Sequence, residues 1–187
     1  MPYREHLQSL RVLHSYSCGY CGVTEADAGS ILTIDHYIPP GFGGTGDLDN
    51  LVYSCPTCNR RKGAYVPSEK DNEAGRRILH PRHDDLTLHL RETPDGQVVG
   101  LTSAGEFHVS RLDLNRAPLL AHRQRRQIFS ELKTQVATHE EMLGQILSQL
   151  QPLLDEVQAM GGVHVKDLEA NIEALRRLLK ALRESLP

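Results

Sequence analysis

The sequence predicts an α+β protein in three parts: a small module held by cysteines, a small antiparallel β meander, and a C-terminal helical hairpin or coiled-coil arm. Three observations support this division. Two Cys-x-x-Cys pairs bracket strand and loop signals, short β-rich runs separated by turns follow, and apolar residues then recur at helical spacing. We expect the boundaries to fall at residues 1–66, 67–116 and 117–187.

The predicted module begins after a short helix or lead-in over residues 1–13. β-branched residues that end at Pro39-Pro40 predict a first strand, and a glycine-dense stretch after it predicts an exposed loop. A second short strand precedes Pro56, which suits the first position of a helix. The predicted ranges are 30–38 for the first strand, 41–47 for the loop, 51–53 for the second strand and 56–63 for the helix.

Residues 67–85 are polar and charged, and they predict a connector that wraps over the module. Apolar and polar residues alternate after this connector. Turn signals at Pro94-Asp95-Gly96 and Ser103-Ala104-Gly105 separate the alternating runs, which predicts a small antiparallel meander. Its predicted strands are residues 86–90, 97–101 and 106–109.

From Pro118 the apolar residues fall at spacings typical of one helix face, which predicts a long amphipathic helix. We expect Pro152 to kink or restart this helix and Gly161-Gly162 to end it. Asp167 is expected to cap a last amphipathic helix that runs through Leu182. An apolar face of this length is typical of a core or of a surface that associates with another chain. We therefore expect these helices to form a homodimer or to bind a protein partner.

Composition and charge exclude several classes of protein. With 39% hydrophobic and 24% charged residues, the chain has the composition of an ordinary soluble globular protein. A net charge of −3 argues against a protein that coats nucleic acid indiscriminately, so any such contact must be local. Residues 1–10 lack the apolar run of a signal peptide, and no stretch is apolar enough to span a bilayer. We therefore expect a cytoplasmic protein without a membrane partner.

The four cysteines predict a structural zinc site. Cys18, Cys21, Cys55 and Cys58 supply the soft thiolates of a closed tetrahedral site. In a reducing cytosol, two Cys-x-x-Cys pairs indicate metal ligands rather than disulfides. The alternative, small buried apolar cysteines, fits two correct spacings less well. Since the gap between the pairs exceeds that of a simple zinc ribbon, the residues between them must fold as a functional unit.

Four motifs follow one another along the module. They are Cys18-x-x-Cys21, Ile34-Asp35-His36-Tyr37-Ile38-Pro39, Asn50-Leu51 and Cys55-x-x-Cys58-Asn59-x-x-Lys62. Together they resemble the zinc-stapled branch of the HNH endonucleases. The resemblance is specific because several motifs occur in the correct order and spacing, whereas a lone Asp-His pair would mean little. It implies a zinc-stapled ββα-metal fold and hydrolysis of DNA phosphodiester bonds.

A second resemblance, to the extension of many bacterial members of that family, lies after the module. With it, the matched part of the chain extends from His14 to Arg125, and the helical C-terminus has no counterpart. The residues that carry this second resemblance are Pro81-Arg82, Asp85, His89, Gly100-Leu101-Thr102, Gly105 and Leu114-Asn115-Arg116.

The family resemblance implies a role for each polar residue of the module. His36 is the general base, because a neutral imidazole can take a proton from water near neutral pH. Asp35 and Asn59 offer hard oxygen atoms to a catalytic Mg²⁺ or Mn²⁺. Asn59 stands where many relatives have histidine, which favours these metals. Asn50 pins the loop and helps to orient the base.

Basic residues on the predicted helix are candidates for contact with the nucleic-acid backbone. Arg60, Arg61 and Lys62 follow Asn59, and Lys62 fits the family motif best. Taken singly, each candidate has a structural explanation: a solvated helix face, a turn asparagine, or a satisfied histidine. We expect the remaining histidines, including His80-Pro81-Arg82-His83, to be structural or exposed.

Two functions remain open at this point. The first is a DNA endonuclease that uses a structural Zn²⁺ and a catalytic Mg²⁺ or Mn²⁺. The alternative is a non-catalytic zinc-stapled module that binds nucleic acid or acts as an adaptor through its helical arm.

Overall fold

The computed structural model describes residues 5–160 and 165–185, and the chain forms two compact units, Met1–Gln124 and Arg125–Pro187. The finer division at residues 66 and 116 stays a prediction. The helices are α1 (Leu7–Leu13), α2 (Glu25–Ala28), α3 (Pro56–Lys62), α4 (Glu69–Glu73), α5 (Leu86–His89), α6 (Ser103–Leu112), α7 (Ala117–Ala159) and α8 (Val165–Ser185). The strands are β1 (Thr33–His36), β2 (Leu51–Ser54), β3 (Leu90–Glu92) and β4 (Val98–Gly100).

The predicted strand, loop, strand, helix order of the module is confirmed. β1 and β2 pair antiparallel, with His36 opposite Leu51 and Asp35 opposite Val52. Single 3₁₀ turns at Pro40–Phe42 and Leu48–Asn50 shape the loop between the strands. α3 begins directly after β2, because Pro56 occupies its first turn and Cys55 caps it by accepting a hydrogen bond from the Cys58 N–H.

The core of the first unit is shared between the module and the elements around it. Every residue of β2 is buried, and α1 packs against this strand. Leucines from the end of α6 and the start of α7 enter the same cluster, which is contiguous. The buried apolar residues of the cluster are Leu10, Cys18, Tyr20, Leu32, Leu51, Val52, Tyr53, Cys55, Cys58, Ile78, Leu112, Leu114 and Leu119.

The predicted three-stranded meander is wrong at two of its strands. Residues 86–89 form α5, because the Asp85 side chain accepts a hydrogen bond from the Thr87 N–H and starts a helical turn. Residues 106–109 lie inside α6, whose start is capped by Thr102. A local cap thus overrides an alternating pattern at both places. What remains is one antiparallel hairpin, β3–β4, with α6 packed against β4.

The predicted C-terminal helices are confirmed as a helical hairpin. Leu147 and Gln151 of α7 line one cavity together with Ile172 and Arg176 of α8. An ion pair of 3.4 Å joins Arg183 to Glu140, which lies earlier in α7, so the two helices run antiparallel. No described helix, α7 included, has the length and apolar character of a membrane span.

Three predictions about helix ends have different outcomes. α7 continues through Pro152 to Ala159, so the helix does not restart there; one missing N–H in a helix of 43 residues is tolerated. Asp167 lies in the first turn of α8 rather than at its cap, because the helix already begins at Val165. Gly161-Gly162 lie outside the described residues.

Candidate functional site

The four cysteines lie together at one end of the module. Cys18 and Cys21 stand on the turn after α1, whereas Cys55 and Cys58 stand at the start of α3. Their sulfur atoms all lie within 4.8 Å of one another, and Cys21 Sγ is 3.9 Å from Cys55 Sγ. A tetrahedron of sulfur atoms around zinc has edges of about 3.8 Å, given Zn–S bonds of about 2.3 Å. The observed spacing therefore fits a structural zinc ion.

The electrostatics of the four thiols also fit a cation. Hydrogen bonding within the cluster lowers the pKa of Cys18, first of all through Cys21, and that of Cys55, first of all through Cys18. The hydrogen bond with Cys18 raises the pKa of Cys21 and of Cys58. Two thiols of the cluster are therefore shifted toward the thiolate, and negative charge on them opposes ionisation of the other two. A dication among the sulfur atoms removes this repulsion, because it favours every thiolate.

Arg116 contacts the cysteine cluster from outside. Its Nη2 lies 3.6 Å from Cys58 Sγ, and its Nη1 donates to the carbonyl oxygens of Leu112 and Asp113 at 3.0 Å each. Burial is the largest single influence and lowers the pKa of Arg116, but the hydrogen bond to Cys58 and the charges of the nearby cysteines together outweigh it and raise this pKa. No sequence pattern predicts a role for Arg116. Only its place in the family-like Leu114-Asn115-Arg116 run drew attention to it.

Asp35 lies in a buried polar group at the other end of α3. Its Oδ2 accepts a hydrogen bond of 2.7 Å from the Tyr20 hydroxyl, and its Oδ1 lies 3.2 Å from the Lys62 Nζ. Lys62 also donates to the His36 carbonyl oxygen at 2.6 Å. Burial raises the pKa of Asp35 and lowers that of Lys62, so the cost of desolvation acts on both partners.

This placement contradicts one prediction about the basic residues. Lys62 is only 1% exposed, so its ammonium cannot reach a bound phosphate as the motif suggested. The Lys62 ammonium instead pairs with the carboxylate of Asp35, which is buried beside it. Arg60 and Arg61 are exposed, although Arg61 pairs with Asp113 at 2.6 Å, and phosphate contact by these two arginines stays a prediction.

Asn59 lies on the same face of β1 as Asp35. Its amide nitrogen donates to Thr33 Oγ1 at 3.2 Å, and Thr33 and Asp35 share one face because side chains alternate along a strand. Lys62, one helical turn after Asn59, reaches Asp35 itself. α3 thus brings Asn59 close to the Asp35 face. His36 is half-buried and starts from the opposite face of the strand.

The oxygen atoms of Asp35 and Asn59 suit a hard divalent cation. An ionised carboxylate offers about four acceptor positions, and Tyr20 and Lys62 use only part of this capacity. The Lys62 ammonium, however, is a cation that already compensates the same carboxylate. Among the described residues, the cysteines form the one group of three or more His, Cys, Asp or Glu side chains placed to hold a metal.

Asn50 closes the loop between the strands. Its amide oxygen accepts the Ile38 N–H at 2.8 Å, and its amide nitrogen donates to the Ile38 and Thr45 carbonyl oxygens at 2.9 and 2.8 Å. Gly44 packs so closely that a Cβ there would lie 1.7 Å from the Ile38 oxygen. The amide of Asn50 therefore fixes the loop, while its effect on a catalytic base stays a prediction.

Comparison with known proteins finds a family model that matches the module. Residues 18–64 match the family model described as HNH endonuclease, and this segment contains all four cysteines, β1, β2 and α3. A search of the curated proteins and of the solved structures found no match to the chain. The module is thus of the HNH endonuclease type, with nucleic acid as the substrate class of that family.

Proposed function

We propose that this protein is a metal-dependent HNH endonuclease that hydrolyses DNA phosphodiester bonds. One observation carries the proposal: the match to the HNH endonuclease family covers the same residues that bring a cysteine cluster, Asp35 and Asn59 onto one strand pair and one helix. The zinc-binding cysteines hold α3 against the strands, so the polar residues keep their spacing.

His36 acts as the general base in this proposal. It is half-buried at the end of β1, where water can reach it. An imidazole takes a proton from water near neutral pH and thereby generates the attacking nucleophile. Its backbone is held on two sides, by pairing with Leu51 and by the Lys62 ammonium on its carbonyl oxygen.

Asp35 and Asn59 would hold the catalytic Mg²⁺ or Mn²⁺, which offsets the negative charge that builds on the phosphate. Tyr20 and Lys62 orient the Asp35 carboxylate through one oxygen atom each. Asn50 keeps the loop closed, and Arg60 and Arg61 contact the nucleic-acid backbone without reading sequence.

The test is cleavage of plasmid and short linear duplex DNA by the purified protein with Mg²⁺ or Mn²⁺. We expect His36→Ala to lower the rate at least about 100-fold, since removing a general base costs that much or more. His139→Ala is the matched control, because His139 is an exposed histidine of α7, in the second unit. Zinc content and circular dichroism must match the parent. Cleavage by His36→Ala at the parent rate would exclude His36 as the base.

One observation favours the alternative, a non-catalytic module that binds nucleic acid or serves as an adaptor. The ion pair between Asp35 and Lys62 occupies the carboxylate that a catalytic cation needs. In that case the protein binds duplex DNA, yet neither Mg²⁺ nor Mn²⁺ supports cleavage of plasmid, linear duplex or single-stranded DNA. Saturable binding without cleavage under all of these conditions would favour this function over the first.

A further inference from the structure

We propose that His80 and Arg82 are positioning residues of the site, because their side chains hold backbone carbonyls on both sides of Asn50. We call this pair the carbonyl clamp. The inference rests on the proposed function, since it concerns how the catalytic strand pair is kept in place. Both residues lie outside the segment that matches the HNH endonuclease family.

Arg82 contacts the 3₁₀ turn Leu48–Asn50 and the residue after it at three points. Its guanidinium donates to the carbonyl oxygen of Leu48 and, at 3.5 Å, to that of Leu51. It also lies 3.8 Å from the Asp49 carboxylate. A planar guanidinium can reach several acceptors at once, whereas an ammonium acts as a point charge. Leu48 and Asp49 precede Asn50 and Leu51 follows it, so Arg82 bridges the turn that carries Asn50.

His80 contacts the same turn in one defined tautomer. Its Nδ1 accepts the Arg82 N–H at 3.2 Å, so the ring carries its proton on Nε2. That Nε2 donates to the Asp49 carbonyl oxygen at 3.1 Å. The ring also lies edge-on to Tyr37, with centroids 4.6 Å apart. Burial lowers the pKa of His80 to about 4, which keeps this neutral form at physiological pH.

The clamp acts at the end of the strand pair where His36 stands. Leu51, whose carbonyl oxygen accepts from Arg82, is the cross-strand partner of His36. The Asn50 carbonyl oxygen accepts the Tyr37 N–H at 2.7 Å, so the turn is tied to the residue after His36 as well. The turn itself is exposed, with the Asp49 side chain 87% accessible. Without the hydrogen bonds that His80 and Arg82 donate to its carbonyl oxygens, this turn would move. The backbone of Leu51, opposite His36, would move with it.

The segment that carries the clamp is itself fixed. Arg77 binds the Asp84 carboxylate through two nitrogen atoms at 2.6 Å each, and Asp84 also accepts the His80 N–H at 2.7 Å. The Tyr37 hydroxyl donates to the Ile78 carbonyl oxygen at 2.5 Å. Bidentate ion pairs of this kind hold a defined geometry. These contacts therefore hold the connector in place, and His80 and Arg82 in turn hold the loop between β1 and β2.

The test compares Arg82→Gln with Arg91→Gln, a control that removes an exposed arginine of β3. Steady-state cleavage of duplex DNA gives kcat and KM, and hydrogen exchange measures protection of the amides at residues 44–51. For Arg82→Gln we expect kcat to fall about 10-fold or more with KM nearly unchanged, because small displacements of catalytic groups cost rate rather than binding. Exchange should accelerate at residues 44–51 only. Arg82→Lys should recover little, since one ammonium cannot bridge the turn.

Three outcomes would overturn the clamp. The first is parent-like kcat in Arg82→Gln, and the second is unchanged exchange at residues 44–51. The third is faster exchange across the whole first unit together with loss of zinc, which would mark Arg82 as merely structural. If the parent protein cleaves nothing, the proposed function fails and the catalytic part of this inference fails with it. Exchange at residues 44–51 then still decides whether the clamp exists, because that measurement needs no cleavage.

Discussion

The unit that ends at Gln124 and the unit that begins at Arg125 are stabilised by different interactions. The first has short helices and strands, a cysteine cluster and a buried ion pair between Asp35 and Lys62. The second consists of long helical segments, and several of its apolar side chains, such as Ile146 and Leu150, are exposed. The stability of the first unit therefore depends on particular side chains. The stability of the second depends on regular backbone hydrogen bonds and on a repeated spacing of apolar residues.

Removing zinc should give the largest effect and should separate the two units. A structural zinc ion contributes about 10–16 kcal/mol of apparent binding free energy, so Cys58→Ser or a chelator should unfold the first unit. All six tyrosines lie at or before residue 65 and the chain lacks tryptophan, so the tyrosine band of the near-UV circular dichroism spectrum reports that unit alone. We expect this signal to vanish while much of the far-UV helical signal remains.

Added zinc should restore the near-UV signal after chelation and should not restore it in Cys58→Ser. Loss of both signals in one transition would show that the units unfold together, and the contrast between them would not hold.

Breaking the buried ion pair should have the next largest effect. Lys62→Met leaves the Asp35 carboxylate buried without its cation, which costs about 3–5 kcal/mol in comparable cases. Adding Asp35→Asn should recover much of this loss, because the double variant has no unpaired buried charge. Urea unfolding followed by tyrosine fluorescence measures the free energy of unfolding. Lys180→Met, at an exposed lysine of α8, should change it little; equal losses at both lysines would contradict the prediction.

Truncating one leucine in each unit compares their packing directly. Leu112 is fully buried, so Leu112→Ala should cost about 2–5 kcal/mol of unfolding free energy. Leu150 is 42% exposed, so Leu150→Ala should stay within about 0.5 kcal/mol. Thermal unfolding at several protein concentrations measures both. A large, concentration-dependent loss for Leu150→Ala would instead show that this face of α7 is covered by a second copy in solution.

Acid should weaken the first unit through its buried histidines. Burial lowers the pKa of His108 and of His80 to about 4, below the value of about 6.5 in an unfolded chain. The unfolded state therefore binds more protons between these values, and stability should fall as the pH drops from about 6.5 to 4. Near-UV circular dichroism against pH follows the loss. His108→Gln keeps an acceptor for the Leu79 N–H without titrating, so it should flatten the dependence.

A small effect is also expected from an ion pair at the surface of the second unit. Arg183 and Glu140 pair at 3.4 Å, but the arginine side chain is 60% exposed. Arg183→Gln should therefore change the unfolding free energy by no more than about 1 kcal/mol. Far-UV circular dichroism during heating measures the change, and high salt should abolish it. A loss several times larger would mean that this pair holds the hairpin together.

The sequence predicts most of what depends on local pattern. The Cys-x-x-Cys spacings indicate the cysteine cluster, Pro56 marks the start of α3, and the apolar periodicity after Pro118 indicates the long helices. Pro56 and the apolar periodicity lie within the features that they predict, whereas the two cysteine pairs, with Cys21 and Cys55 34 residues apart, are joined by the zinc chemistry that they share. Residues 86–89 and 106–109 are helical and not the predicted strands, because caps at Asp85 and Thr102 decide the local structure there.

The sequence does not predict contacts that depend on how distant elements pack. Lys62 resembles a phosphate contact in its motif, yet the packing of α3 on β1 turns it toward Asp35. Arg82 and Arg116 reach the module from elements later in the chain, and no spacing rule joins them to Leu48 or to Cys58. Such pairs could be found only from the folded arrangement or from covariation among relatives.

The leucines contributed by α6 and α7 limit how the HNH-type segment can be moved between proteins. Leu112, Leu114 and Leu119 belong to the same buried cluster as the residues of β2, although they lie well beyond residue 64. If the segment were cut out at the borders of its family match, the apolar surface that these leucines cover would be exposed to water. Transplanting it into a chimera would therefore require grafting the chain through about Gln124, or redesigning the surface that these leucines now cover.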